Sequence, residues 1–296
     1  MNALIESIKA VVDLVPYYLL GLLLFFLGKF AFDLSTPSIE DDKELTERDN
    51  PAFGVLFSGY MVGLAFAIAG SFFALGPSVL GNIVNIATSG VAGIVLLRLG
   101  MIIGDKLILS TFQIEKEIIQ GRNVATAFAV SGLFVATGLM IAGVMSGESR
   151  SFLLMLRDIA IYWLVGQAFL VVAGFIVQAI SRYDVRKAIE EDGNIAAGLS
   201  MGGFFVGLGI ILKGALTGTT SNLGPELIVT VVIAVVGLIL LIFSRFLTDV
   251  ILLPKAWFAA EVAQQKNVAA GAVSAIGFIA VGVLFNALVK TQFFLV

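Results

Sequence analysis

Eight apolar runs divide this chain, at about residues 11–32, 51–72, 84–106, 124–145, 157–181, 195–215, 226–248 and 268–289. Each is long enough to carry a helix across roughly 30 Å of hydrocarbon, a crossing that takes about 20 residues. Polar segments separate the runs, as they must where irregular backbone needs water for its N–H and C=O groups. The pattern predicts an all-α, polytopic membrane protein with eight transmembrane helices. The first run exceeds the apolar core of a secretory signal, and no small-residue cleavage site follows Leu34, so it reads as a retained span.

Positive charge falls unevenly between the runs. Ten of the 18 Lys and Arg follow the first, third, fifth and seventh runs, and Lys29, Arg98 and Arg245 lie within runs toward that same end. Only Lys9, Arg150, Arg157, Lys213 and Lys290 occupy the other side. The positive-inside rule then puts the basic side in the cytoplasm and both termini outside it.

Composition agrees with the pattern and narrows the chemistry. Of 296 residues, 59% are apolar and 13% charged, with a mean hydropathy of +1.03. Soluble domains hold about 45–50% apolar and about 25% charged residues, so a water-soluble fold is excluded. The net charge of −3 offers no basic field for nucleic acid. The chain has no cysteine and no histidine, which removes thiol chemistry, the commonest general base and the commonest transition-metal ligand. No catalytic residue, cofactor site or metal site can be named, and the expectation is a protein that is not an enzyme.

Internal repetition is the strongest signal. Asn50-Pro-Ala-Phe-Gly54, Asn123-Val-Ala-Thr-Ala127, Asn194-Ile-Ala-Ala-Gly198 and Asn267-Val-Ala-Ala-Gly271 recur at spacings of 73, 71 and 73 residues. Nine residues after each Asn stand Gly59, Gly132, Gly203 and Ile276; fifteen after stand Ala65, Gly138, Gly209 and Gly282. The odd runs align through Gly21, Gly93, Gly166 and Gly237, each twelve residues before Asp33, Asp105, Gln178 and Asp249. Asn50 to Asn194 and Asn123 to Asn267 both measure 144 residues, close to half the chain. The reading is four two-helix repeats of one direction, unlike the inverted repeats of many transporters. They pair into two four-helix units, 1–148 and 149–296, and such a history is compatible with a homo-oligomer.

The Asn-x-Ala-Ala entry followed by a Gly-rich span resembles the YjfL-like family of bacterial inner-membrane proteins, the domain of unknown function 350. Typical members look like one half of this chain, so the resemblance implies a tandem form. It implies a bacterial inner membrane and no particular reaction. It also implies, by association, a cytoplasmic partner among envelope-stress proteins of the phage-shock type.

Each Asn stands where a helix begins after a polar stretch, so Asn50, Asn123, Asn194 and Asn267 are read as helix caps. The pairs Gly59/Gly63 and Gly203/Gly207 are small-xxx-small faces suited to close packing. Charges within runs are expensive in lipid and are the candidates for a pathway or gate. Arg98 is the deepest. Asp33, Asp105, Gln178 and Asp249 occupy equivalent positions that would ring an axis if the repeats enclosed one. Lys29–Asp33 and Arg245–Asp249 are four residues apart and can pair on one helix face. Asp13, Asn85 and Asp158, at the opposite ends of the odd runs, read as first-turn residues that complement the helix dipole. The segments 112–119 and 257–262 read as amphipathic extensions. Two functions are consistent with all this: passage of a small ion or solute, or a membrane scaffold that recruits cytoplasmic proteins through those extensions.

Overall fold

The computed structural model describes residues 1–108, 116–147, 152–216, 223–247, 251 and 258–293. In chain order its α-helices are α1 (Asn2–Asp13), α2 (Val15–Ser35), α3 (Pro51–Gly70), α4 (Val79–Ile103), α5 (Val124–Met145), α6 (Phe152–Ile180), α7 (Val185–Glu190), α8 (Ile195–Ala215), α9 (Leu223–Leu247), α10 (Phe258–Ala263) and α11 (Val268–Phe293). Eight helical stretches are long and apolar enough to cross a membrane. The first extends from Leu4 to Ser35, beginning earlier than the hydropathy suggests, and breaks between α1 and α2. Pro16 accounts for the break, because its ring removes an N–H and crowds the carbonyl one turn back.

Four of these helices begin in the same way. Asp49, Arg122, Gly193 and Lys266 take positive φ angles of 45°, 48°, 56° and 51°. The following Asn50, Asn123, Asn194 and Asn267 then donate their backbone N–H to the carbonyls of Glu44, Glu117, Ala188 and Glu261, each at 2.9 Å. This left-handed turn, closed by a bond to the carbonyl six residues back, one residue wider than the six-to-one closure of a Schellman turn, ends one helical segment, and the Asn side chain at once opens the next. The Asn50 Oδ1 accepts from Ala52 and Phe53, that of Asn123 from Ala125 and Thr126, that of Asn194 from Ala197, and that of Asn267 from Ala269 and Ala270. Such a cap is worth about 1 kcal/mol.

The capped helices α3, α5, α8 and α11 pack side by side as an inner row. Glycine makes this possible. Gly59 faces Ser131, Gly63 faces the Phe134 carbonyl, Gly132 faces Gly202, Gly203 faces Ala275 and Gly207 faces the Phe278 carbonyl. Partner numbers rise together along each pair, so neighbouring inner helices run in the same direction. Backbone approaches this close are the means by which helices associate in lipid, where no hydrophobic drive separates one apolar surface from another. The spans of α5 and α8 are 83% and 78% buried, against 18% for the first span and 33% for the last. The row therefore has a middle and two open ends.

The other four long helices form a second layer. α4 lies against α3 and α5, α6 against α5 and α8, and α9 against α8 and α11, while α2 rests on α3 and α4. Gly93 on α4 seats Ala67 and Ile141, and Gly237 on α9 seats Ile211. α2 and α4 pack along one another, but α4 and α6 meet only sparsely.

Candidate functional site

Charged and polar groups gather at both ends of the bundle. At the Asn-bearing end the Lys29 ammonium bonds Asp33 at 2.5 Å, and the Asp41 carboxylate stands 3.5 Å from it. Asp41 is buried, with 8% of its surface exposed. Burial, reinforced by the neighbouring Asp33 carboxylate and only partly offset by Lys29, pushes its pKa up to about 6. Close by, the Arg98 guanidinium lies 5.4 Å from the centre of the Phe32 ring and donates to the Met101 sulfur at 3.4 Å. Beneath it Tyr60 donates its hydroxyl to the Gly28 carbonyl at 2.6 Å, tying α3 to α2.

The remaining candidates engage their own surroundings. Asp105 is half-buried in the π-helical turn Gly104–Ile108 at the end of α4. Gln178 donates to Asp184 and accepts from the Arg186 N–H, both at 3.3 Å. Arg245 donates to Ser181 at 3.0 Å and covers the Phe258 ring at 5.3 Å. Asp249 lies outside the described residues. Asp33, Asp105 and Gln178 thus sit at the ends of three successive outer helices, α2, α4 and α6, Asp33 and Gln178 each with hydrogen-bond partners nearby. The apolar sides of the short segments at this end are covered by the bundle: Ile118, Ile189, Phe258 and Val262 are all buried.

The opposite end holds a feature that the hydropathy pattern did not disclose. Where α4 and α6 diverge, Asn85, Ser89, Met145, Asp158, Tyr162 and Leu216 line a pocket of about 20 Å³, room for a single water. Asp158 is 5% exposed. The Arg157 guanidinium donates twice to its Oδ1, at 2.6 and 2.8 Å. Among the described residues its Oδ2 has no hydrogen-bond partner, and neither has the buried Tyr162 hydroxyl. Nine residues further along α6, roughly 13 Å at helical rise, the Gln167 amide is buried beside Gly100 and Thr137, its Nε2 also without a partner among the described residues. Beyond it, Gly174 seats Ile108 and Arg186 donates to the Ile108 carbonyl at 3.4 Å. The α4–α6 seam therefore carries polar groups at both ends and at its centre. A buried polar atom left unpaired costs about 1–3 kcal/mol, so four along one helix, on Asp158, Tyr162, Trp163 and Gln167, call for a reason beyond packing.

A signal for this site was present in the sequence. Asn85 and Asp158 are equivalent positions, and Ser89 and Tyr162 follow each by four residues. That spacing places each pair on one helix face.

Comparison with known proteins matches the Domain of Unknown Function family DUF350 over residues 6–145 and again over 151–289. The chain belongs to the DUF350 family. It carries the DUF350 domain twice, the two copies meeting near the start of α6. A curated relative, the UPF0719 transmembrane protein of Aquifex aeolicus (strain VF5), is 25% identical over 267 residues, spanning 89% of this chain and 95% of the relative. No solved structure matches. This DUF350 protein is a multi-pass transmembrane protein.

Proposed function

We propose that this DUF350 protein passes a small cation across the membrane, using the α4–α6 seam as its path and Asp158 as the first binding group. In this reading the membrane is a bacterial inner membrane, the Asn-bearing end faces the cytoplasm, and the pocket opens toward the outside. The observation that carries it is Asp158: a carboxylate almost wholly enclosed among helices, with one oxygen held by Arg157 and the other without a hydrogen-bond partner among the described residues, on a residue that lines a water-sized pocket with Ser89 and Tyr162. An acid in that setting is expensive unless it serves a pathway or relay. A cation replaces the missing partner of Oδ2. Gln167 offers the next polar contact midway, and Asp105 stands near the far end of α4.

Sparse packing between α4 and α6 supports the same reading, because the glycine contacts that cross the seam, Gly100 with Gln167 and Gly174 with Ile108, are made to side chains that can move, whereas inner-row glycines such as Gly63 and Gly132 meet backbone. Recruitment of cytoplasmic proteins has less to support it, since the apolar faces of the short segments near Ile118, Ile189 and Val262 already pack against the bundle.

The test is flux from purified protein in liposomes, with dyes reporting H⁺, Na⁺ and K⁺. Wild type passes at least one of these, Asp158→Asn abolishes that flux, and Asp42→Asn, remote on the surface, leaves it unchanged. Absence of flux for all three cations in correctly inserted wild type, or full flux in Asp158→Asn, overturns the proposal.

A further inference from the structure

We infer that the inner row continues from one molecule to the next, α11 of one copy docking in the open groove between α2 and α3 of a second. The inference is independent of cation passage and rests on an interface the chain already makes three times. In each instance the residue fifteen after an Asn meets the residue thirteen after the preceding Asn: Gly138 on Gly63, Gly209 on Ala136 and Gly282 on Gly207. The first member of one series, Ala65, and the last of the other, Ala280, have no such partner among the described residues, and both are exposed.

The second layer repeats the argument. Outer-helix glycines seat the residue seventeen after the preceding Asn: Gly93 takes Ala67, Gly166 takes Met140 and Gly237 takes Ile211. Gly21 on α2 instead seats Phe72 of its own hairpin, and the corresponding knob, Leu284 on α11, is 66% exposed. Between α2 and α3 the structure leaves an apolar groove of about 240 Å³, lined by Tyr18, Gly21, Phe25, Ala65, Ala69 and Phe72. It lies where the preceding inner helix sits in the other three repeats.

Size complementarity distinguishes this contact from the internal ones. Where α3, α5 and α8 present Gly59, Gly132 and Gly203 to the next helix, α11 presents Ile276, which is 64% exposed. By the same register Ile276 falls on the exposed Ser58 of the next copy, and its larger side chain holds α11 further from α3 than the glycine contacts allow. The Asn ladder points the same way. Asn50 donates its Nδ2 to the Ile118 carbonyl, Asn123 to Ile189 and Asn194 to Val262, each reaching the following repeat. Asn267 reaches only Glu261 of its own repeat, and the equivalent acceptor for it is the Leu45 carbonyl of a following copy. The contact is head-to-tail, which closes a ring or propagates a line according to the rotation between copies.

The absence of cysteine makes the test clean. Ala65→Cys and Ala280→Cys together, oxidised in native membranes, are expected to give disulfide-linked dimers and larger species that neither single variant gives. Within one chain the two residues are separated by three helix-to-helix steps of about 8–10 Å each and cannot meet. Ser200→Cys with Ser274→Cys, whose hydroxyls lie 3.1 Å apart, forms an internal disulfide and verifies that the oxidant reaches the bilayer core. Ala65→Trp fills the groove and is expected to abolish Leu22→Cys/Leu284→Cys cross-linking. Monomers alone from the Ala65/Ala280 double variant, with the internal disulfide formed, show the groove filled by lipid and overturn the inference.

Discussion

Replacing Gly138 with alanine tests what holds the inner row together. A methyl group built on Gly138 comes within 2.5 Å of both the Cα and the carbonyl carbon of Gly63. The Gly63 carbonyl oxygen is nearer still, and ordinary contact lies at 3.4–4 Å, so α3 and α5 must part by more than 1 Å. The opposing atoms are backbone, so no side-chain rotation relieves the clash. Overpacking of this kind costs about 1–3 kcal/mol, while alanine returns nearly 1 kcal/mol through helix propensity. The net expectation for Gly138→Ala is a loss of up to about 2 kcal/mol, an up to about thirty-fold fall in the folded-to-unfolded ratio. Gly54→Ala is the comparison. It lies on the same row, but its new methyl meets only the Leu45 side chain at 3.9 Å, so stability should hold or rise. The assay is reversible unfolding in mixed micelles, followed by circular dichroism and by separation of folded monomer. Equal effects of the two substitutions would refute the claim that glycine-mediated backbone contact positions α3 against α5.

Three further outcomes follow from the elbows and from the buried acid. Asn123→Ala loses two capping bonds and strips a donor from the Ile189 carbonyl, so it should cost about 2–3 kcal/mol; Asn267→Ala, without a bond to another repeat, should cost about 1 kcal/mol in the same unfolding assay. Gly193→Ala puts a Cβ into open space but at φ 56°, and a loss of about 1 kcal/mol is expected from backbone strain alone. Asp41, raised to about 6 by burial and by Asp33, binds its proton more readily folded than unfolded, so its contribution to stability falls as pH rises from about 4 through about 6. Asp41→Asn should therefore raise the melting temperature at pH 8, with the gain fading by pH 4; a gain that grows on acidification contradicts the sign.

The membrane helices were legible because hydrocarbon thickness imposes a length that soluble helices need not respect. Asn capping was legible as well, since an amide between a polar stretch and an apolar helix has few other uses. The break at Pro16 and the three non-glycine residues at positive φ were not read. Asp49, Arg122 and Lys266 look like ordinary loop residues until their bonds to the preceding segment are seen. The pocket escaped for a different reason. Asp158 at the start of an apolar run reads as a first-turn residue that complements the helix dipole, and only the packing of α6 beside α4 and α5 encloses it. Equivalence in sequence also proved distinct from proximity. Asp33, Asp105 and Gln178 align, yet Asp33 answers to Lys29 and Gln178 to Asp184 nearby, because outer helices in a row do not share a centre.

The common direction of α3, α5, α8 and α11 has an electrical consequence. Each helix N-terminus carries about half a positive charge, so four lined up along one edge concentrate roughly two elementary charges there, while the outer layer, threaded the opposite way, brings negative ends to the same level. The molecule is thus a pair of facing plates with reversed polarity. Glu44, Glu117 and Glu261, each accepting a hydrogen bond from a capping Asn, place their carboxylates along the positive edge and serve as its counterions.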